Sequence, residues 1–158
     1  MSAADVLDAL RARGWWLATA ESCTGGMIAA ALTDVAGSSD VFDRGFVTYS
    51  NAAKTEMLGV PPDLIAEHGA VSEDVAAAMA VGAMTLAHAN VAVSVTGIAG
   101  PGGSEHKPEG RVCFGLCVAG NTFTETVEFG AVGRAEVRRR TVDHALSLVL
   151  NAANPNTP

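Results

Sequence analysis

Apolar and polar positions follow different rhythms along the chain, and each change of rhythm marks an element. Positions 3–13 carry Val6, Leu7 and Leu10 at helical spacing, and Gly14 follows as a stop, so the segment reads as an amphipathic helix. Residues 15–20 are a short apolar run that opens on two tryptophans, as expected of a buried strand. The run leads directly into Glu21-Ser22-Cys23-Thr24-Gly25-Gly26 and then an Ala-rich helical segment, 27–35. After a turn at 37–40, residues 45–50 are β-rich and predict a second strand. Asn51 can cap a short helix carrying Lys54, Met57 and Leu58.

Pro61 and Pro62 open a further short helix that ends near Gly69. Ser72-Glu73-Asp74 starts a longer one, reaching about residue 89, whose alanine content predicts close packing on a sheet. Residues 91–95 are an apolar β-branched run ending in Thr96-Gly97-Ile98-Ala99-Gly100-Pro101-Gly102-Gly103, so a third strand feeds a second glycine-rich loop. Residues 110–118 and 122–129 flank Ala119-Gly120-Asn121, which predicts an antiparallel hairpin. A last helix over 133–150 turns Val137, Thr141, Ala145 and Leu148 inward, and a frayed tail is expected over about 152–158. Early alternation of helices and strands with a late hairpin predicts an α/β fold, a three-layer α/β/α sandwich with a mixed β-sheet, in one domain spanning 1–158. Both glycine loops then lie at strand carboxyl ends, where open α/β sheets bind ligands.

Composition narrows the function. A hydrophobic content of 49% supports one sizeable core. No apolar stretch approaches the roughly 20 residues that span a bilayer. The N-terminus lacks the basic and apolar regions of a signal peptide, so a soluble, cytoplasmic protein without membrane contact is expected. The formal net charge of -7, with cations scattered apart from Arg138-Arg139-Arg140, leaves no face for nucleic acid but allows one anionic group on a small substrate. Cys23, Cys113 and Cys117 read as reduced thiols, and the four histidines show no HxH or HExxH spacing, so no metal site is expected. The Ala-rich helices leave room for a homo-oligomer.

Two segments carry candidate chemistry. Ser22 at a strand end can project Oγ from a tight turn, beside the N–H groups of Thr24, Gly25 and Gly26, helix-start donors suited to an oxyanion or a phosphate. A serine there is more often an ordinary helix cap, and the motif is not the Gly-x-Ser-x-Gly elbow. In Thr48-Tyr49-Ser50-Asn51-Ala52-Ala53-Lys54, a tyrosine and a lysine could converge across a strand-to-helix turn, although a lone tyrosine at a strand end is more often packing. A lysine buried there would lose its proton more easily and could serve a serine as base; a solvated one would be ordinary surface. Cys23 reads as a small buried hydrophobe, with a thiolate nucleophile as the other possibility.

The stretch from Thr19 to Gly26, with Gly45-Phe46-Val47-Thr48-Tyr49-Ser50-Asn51 and Lys54, resembles the CinA C-terminal family, the nicotinamide-nucleotide amidohydrolases. Leu58-Gly59-Val60, His68-Gly69-Ala70-Val71-Ser72, Thr96-Gly97-Ile98-Ala99-Gly100-Pro101 and Lys107-Pro108 with Gly110 extend the resemblance over nearly the whole chain. It implies hydrolysis of nicotinamide mononucleotide to nicotinate mononucleotide and ammonia in pyridine nucleotide salvage, without cofactor or metal. The Ser/Lys pair and assisting tyrosine of that family match Ser22, Lys54 and Tyr49. Thr24, Gly25 and Gly26 are then candidates for the oxyanion hole or substrate binding, with Thr96 and Gly97 at the opposing strand end; Arg138 or Arg139 resembles the family's arginine region on the last helix, and either could pair with the nucleotide phosphate or neighbour the site. The loop 100–107 is about one residue shorter than is common in the family. The family's competence-related name carries an alternative, a non-catalytic nucleotide-binding or damage-related regulatory module.

Overall fold

The computed structural model describes residues 1–154; the end of the expected frayed tail, 155–158, lies outside them. Five strands, β1 (Leu17–Glu21), β2 (Phe42–Val47), β3 (Val91–Gly97), β4 (Arg111–Val118) and β5 (Asn121–Glu128), form one sheet in the order β2-β1-β3-β4-β5. The pairings β1–β2 and β1–β3 are parallel, and β3–β4 and β4–β5 antiparallel, so the sheet is mixed as the alternation of elements predicts. Six helices flank it: α1 (Ala3–Arg13), α2 (Met27–Thr33), α3 (Asn51–Leu58), α4 (Pro62–His68), α5 (Glu73–Leu86) and α6 (Arg134–Ala153).

Period-two alternation along the central strands builds the two interfaces. Val91, Val93 and Val95 point into a core shared with α1, α2 and α6, while Ala18, Ala20 and Ala92 face the core of α3, α4 and α5. The second interface is built from small residues: a Cβ at Gly115 would sit 2.5 Å from the Ala76 carbonyl, and the Ser94 hydroxyl donates to that same oxygen at 2.6 Å. The Ala-rich helix α5 therefore lies close on the sheet.

Several boundaries differ from the sequence reading, each for a local reason. β1 starts at Leu17 because the Trp15 N–H is spent on the Leu10 carbonyl, closing α1 beyond a left-handed Gly14. β2 occupies Phe42–Val47 instead of 45–50; it is a partly exposed edge strand whose Asp43 and Arg44 hide the apolar signature. Residues 48–50 have left the ladder, and the cap of α3 is Ser50, whose Oγ accepts from the Ala53 N–H, in place of Asn51. α5 ends at Leu86, and α6 continues to Ala153, whose side chain is buried. Among the described residues no helix is long and apolar enough to cross a membrane.

The chain leaves β1 through α2 to one side of the sheet and enters β3 from α5 on the other. The crevice between the carboxyl ends of β1 and β3 is thus the switch point of the sheet.

Candidate active site

Ser22 follows directly on β1, and its N–H donates to the Val95 carbonyl of β3 at 3.1 Å, which fixes the residue at the switch point. The turn after it is held from inside by Glu21. That carboxylate, 1% exposed, accepts from the Thr24 hydroxyl at 2.5 Å, the Ile28 N–H at 2.9 Å and the Ala29 N–H at 3.0 Å. Glu21 thereby occupies the amino end of α2, the place where the sequence suggested a free anion site. Glu21→Gln leaves one carbonyl oxygen to serve three donors and turns an NH2 toward N–H groups. An expected loss of about 2–3 kcal/mol lowers Tm by about 5–10 °C, read by thermal unfolding; an unchanged Tm would contradict this role.

Lys54 reaches the same point from α3. It is the largest fully buried side chain, 1% exposed, and its Nζ lies 3.0 Å from Ser22 Oγ. The carbonyls of Thr48, Tyr49 and Ser50 surround Nζ at 3.1, 3.2 and 3.5 Å. This is why residues 48–50 leave β2: Thr48 still donates its N–H to the Glu21 carbonyl at 2.8 Å, and the following carbonyls then turn inward. Burial pushes the Lys54 ammonium below the ordinary lysine value, against the nearby Glu105 carboxylate. A neutral amine has two N–H bonds and one lone pair. Thr48 and Tyr49 can take the donors, leaving the lone pair for the Ser22 hydroxyl.

The structure brings Ser22 and Lys54 together but separates other residues singled out from sequence. Tyr49 meets Lys54 through its backbone; its side chain is 59% exposed and its hydroxyl accepts from Arg134 at 3.0 Å. Thr24, Gly25 and Gly26 sit behind Ser22, away from the cleft lining. The Gly25 N–H is donated to the Ser22 carbonyl at 3.0 Å, and the Thr24 hydroxyl to Glu21. Thr96 and Gly97 do line the cleft, with the Thr96 hydroxyl donating to the Ala70 carbonyl at 2.9 Å. Arg138 donates to the Cys23 and Thr24 carbonyls at 3.1 and 3.2 Å and so braces the turn. Arg139 is paired with Glu136 and Asp143 on the exposed face of α6.

A cleft of about 370 Å³ opens over Ser22, bounded by Tyr49, Thr96 and the loop 98–105. The cation on its wall is Arg134, four residues before the arginine run, which also donates to the Gly100 carbonyl at 2.7 Å. Its neighbour Gly133 was the one sequence signal, as a helix start. The N–H groups of Cys23, Ala99 and Gly100 also belong to lining residues, and they have no acceptor among the described residues. The Cys23 thiol itself packs in the core, and burial pushes it up to about 12, a poor thiolate at neutral pH.

A mixed α/β sheet with a serine and a buried amine in contact at its switch point defines a three-layer α/β protein with a serine–lysine pair. The chain matches the CinA C-terminal domain over residues 1–153 and belongs to that family. It is 50% identical over 150 residues to the nicotinamide-nucleotide amidohydrolase PncC of Escherichia coli K12, covering 94% of this chain and 91% of the relative. With the protein of the same name from Enterobacter agglomerans it shares 63% over 109 residues, 68% of this chain and 66% of the relative. The competence/damage inducible protein CihA of Agrobacterium tumefaciens superposes with a TM-score of 0.91 at 49% identity, over 96% of this chain and 93% of that one.

Proposed function

We propose that the chain hydrolyses the carboxamide of nicotinamide mononucleotide to nicotinate mononucleotide and ammonia, with Ser22 as nucleophile and Lys54 as base. The single observation that carries the chemistry is the 3.0 Å contact between Ser22 Oγ and an amine denied solvent. The substrate rests on the E. coli and Enterobacter relatives, which bear the name nicotinamide-nucleotide amidohydrolase.

Neutral Lys54 takes the Ser22 proton as Oγ attacks the carboxamide carbon. The unpaired N–H groups of Cys23, Ala99 and Gly100, which belong to residues lining the cleft beside Ser22, are the donors available to the oxyanion. The proton on Nζ passes to the departing nitrogen, the C–N bond breaks and ammonia leaves. Water then attacks the acyl ester with Lys54 again as base, and collapse returns the proton to Ser22 Oγ and frees the product carboxylate. The proton path is direct, since Tyr49 offers Lys54 its carbonyl and points its hydroxyl at Arg134. Arg134 suits the nucleotide phosphate better than Arg139, which is committed to two carboxylates.

Purified protein is expected to release ammonia from nicotinamide mononucleotide with no added metal, and to keep that turnover after exposure to iodoacetamide at pH 8, because all three cysteines are buried. Absence of ammonia release would sink the reading; inactivation by alkylation of Cys23 would move the nucleophile from Ser22 to sulfur.

A further inference from the structure

Glu105 is left without work by the mechanism above. It sits at the tip of a two-residue turn clamped by paired backbone bonds between Ser104 and Lys107, at 3.0 and 2.8 Å. Glu105 and His106 both have left-handed backbones, φ 51° and 65°, a conformation unfavourable for non-glycine residues. Lys107 anchors the base of the turn by donating Nζ to the carbonyls of His68 and Val71. It makes no ion pair with Glu105, whose carboxylate has no hydrogen-bond or ion-pair partner among the described residues. Gly69 gives that carboxylate room, since a Cβ there would lie 2.7 Å from both Glu105 Oε2 and Lys107 Nζ, so the ammonium is a near neighbour of the carboxylate without pairing with it.

The wall of the cleft carries two charged side chains, Glu105 and Arg134. Arg134 already holds two oxygens, Gly100 O and Tyr49 Oη, and so is preset for an anion. Glu105 is its opposite in charge, borne by the loop 98–105 that bounds the cleft opposite Ser22. A ligand complementary to this wall carries one positive and one negative group, and the carboxamide to be cleaved must reach Ser22 between them. We infer that Glu105 is a specificity residue that selects a cationic aromatic ring, the N-substituted pyridinium, over a neutral one. This rests on the proposed function, in which the ring bears a fixed positive charge because its nitrogen is bonded to ribose. Free nicotinamide and dihydropyridines lack that charge. The carboxylate's field also reaches the reaction centre, where it holds the Lys54 ammonium up against the effect of burial.

The test compares nicotinamide mononucleotide with its 1,4-dihydro form, which keeps the carboxamide, ribose and phosphate but has a neutral ring. Dissociation constants are measured by calorimetry on full-length Ser22→Ala protein, with and without Glu105→Gln, and ammonia release is assayed separately on the wild type. The cationic ligand is expected to bind about tenfold more tightly than the neutral one, and Glu105→Gln to weaken the cationic ligand alone by about that factor. An unchanged preference in Glu105→Gln, equal weakening of both ligands, or no binding of either would overturn the inference. If the wild type releases no ammonia while the Glu105-dependent preference is observed, the catalytic reading fails and the cation-selective cleft stands. If ammonia is released and the preference ignores Glu105, only this inference falls.

Discussion

Ser22→Ala is expected to lower kcat for ammonia release by about 10⁴-fold or more, with the fold intact. The size follows from the absence of a second nucleophile in position. Cys23, next in sequence, directs its thiol into the core with its proton held up to about 12, so it cannot take over. Stability should change by about 1 kcal/mol or less, since Ser22 is anchored through its backbone N–H and its Oγ makes few bonds. Single-turnover and steady-state ammonia assays read the first number and denaturant unfolding the second. A variant retaining a tenth of the wild-type rate would rule out Oγ as the attacking atom.

The second large effect concerns Lys54. Lys54→Met keeps most of the buried volume and removes the base, so kcat should fall by about 10³–10⁴-fold. The Thr48 carbonyl loses its donor, which costs roughly 1–3 kcal/mol, while the Tyr49 carbonyl keeps the Ser22 hydroxyl at 3.4 Å; the loss is offset in part because the variant no longer buries an amine. A net destabilisation of about 1–3 kcal/mol is expected, well below what the activity loss would need if unfolding were its cause. The wild-type kcat/KM should rise with pH as Lys54 loses its proton, with a midpoint below the ordinary lysine value of about 10.4, and Lys54→Met should lack that limb. Stability follows the same group. Between the folded and unfolded values the unfolded chain binds a proton that the folded chain does not. Stability therefore declines as pH falls from about 10.4 to the folded value and is flat with respect to Lys54 below it.

Much of the fold was legible because its signals are local. Gly14 ends α1 in the left-handed conformation that favours glycine, and Ala119-Gly120 makes the tight turn between β4 and β5 with φ 52° and 78°. β2 was displaced by three residues because an edge strand with Asp43 and Arg44 need not look apolar, whereas the residues after it do. The Ser22 and Lys54 segments stood out in the chain, but the contact between them depends on strand order, which no local pattern encodes.

The supporting parts were less visible for the same reason. Glu21 looked like an ordinary residue beside a serine, yet its three acceptor contacts exist only because α2 folds back over β1. Of the helix-start donors expected near Ser22, the Gly25 N–H goes to the Ser22 carbonyl and Glu21 takes the Ile28 and Ala29 N–H groups further along, while the unpaired N–H groups that line the cleft belong to Cys23 and to the 98–105 loop from β3. The arginine run drew attention to Arg138 and Arg139, but one turn of helix decides which arginine faces the cleft, and that is Arg134. Glu105 lies in a loop whose tip is set by a clamp to α4 from Lys107, a contact across 39 residues to His68.

The most direct test of the central claim is the titration of Lys54 itself, followed by the NMR chemical shift of its side-chain carbon next to Nζ in lysine-labelled protein and assigned with Lys54→Met. The expected result is a midpoint below the ordinary lysine value and coincident with the rising limb of kcat/KM for ammonia release. A Lys54 that titrates in the ordinary lysine range while the enzyme is fully active at neutral pH would show that the amine is charged during turnover, and would contradict its role as the base.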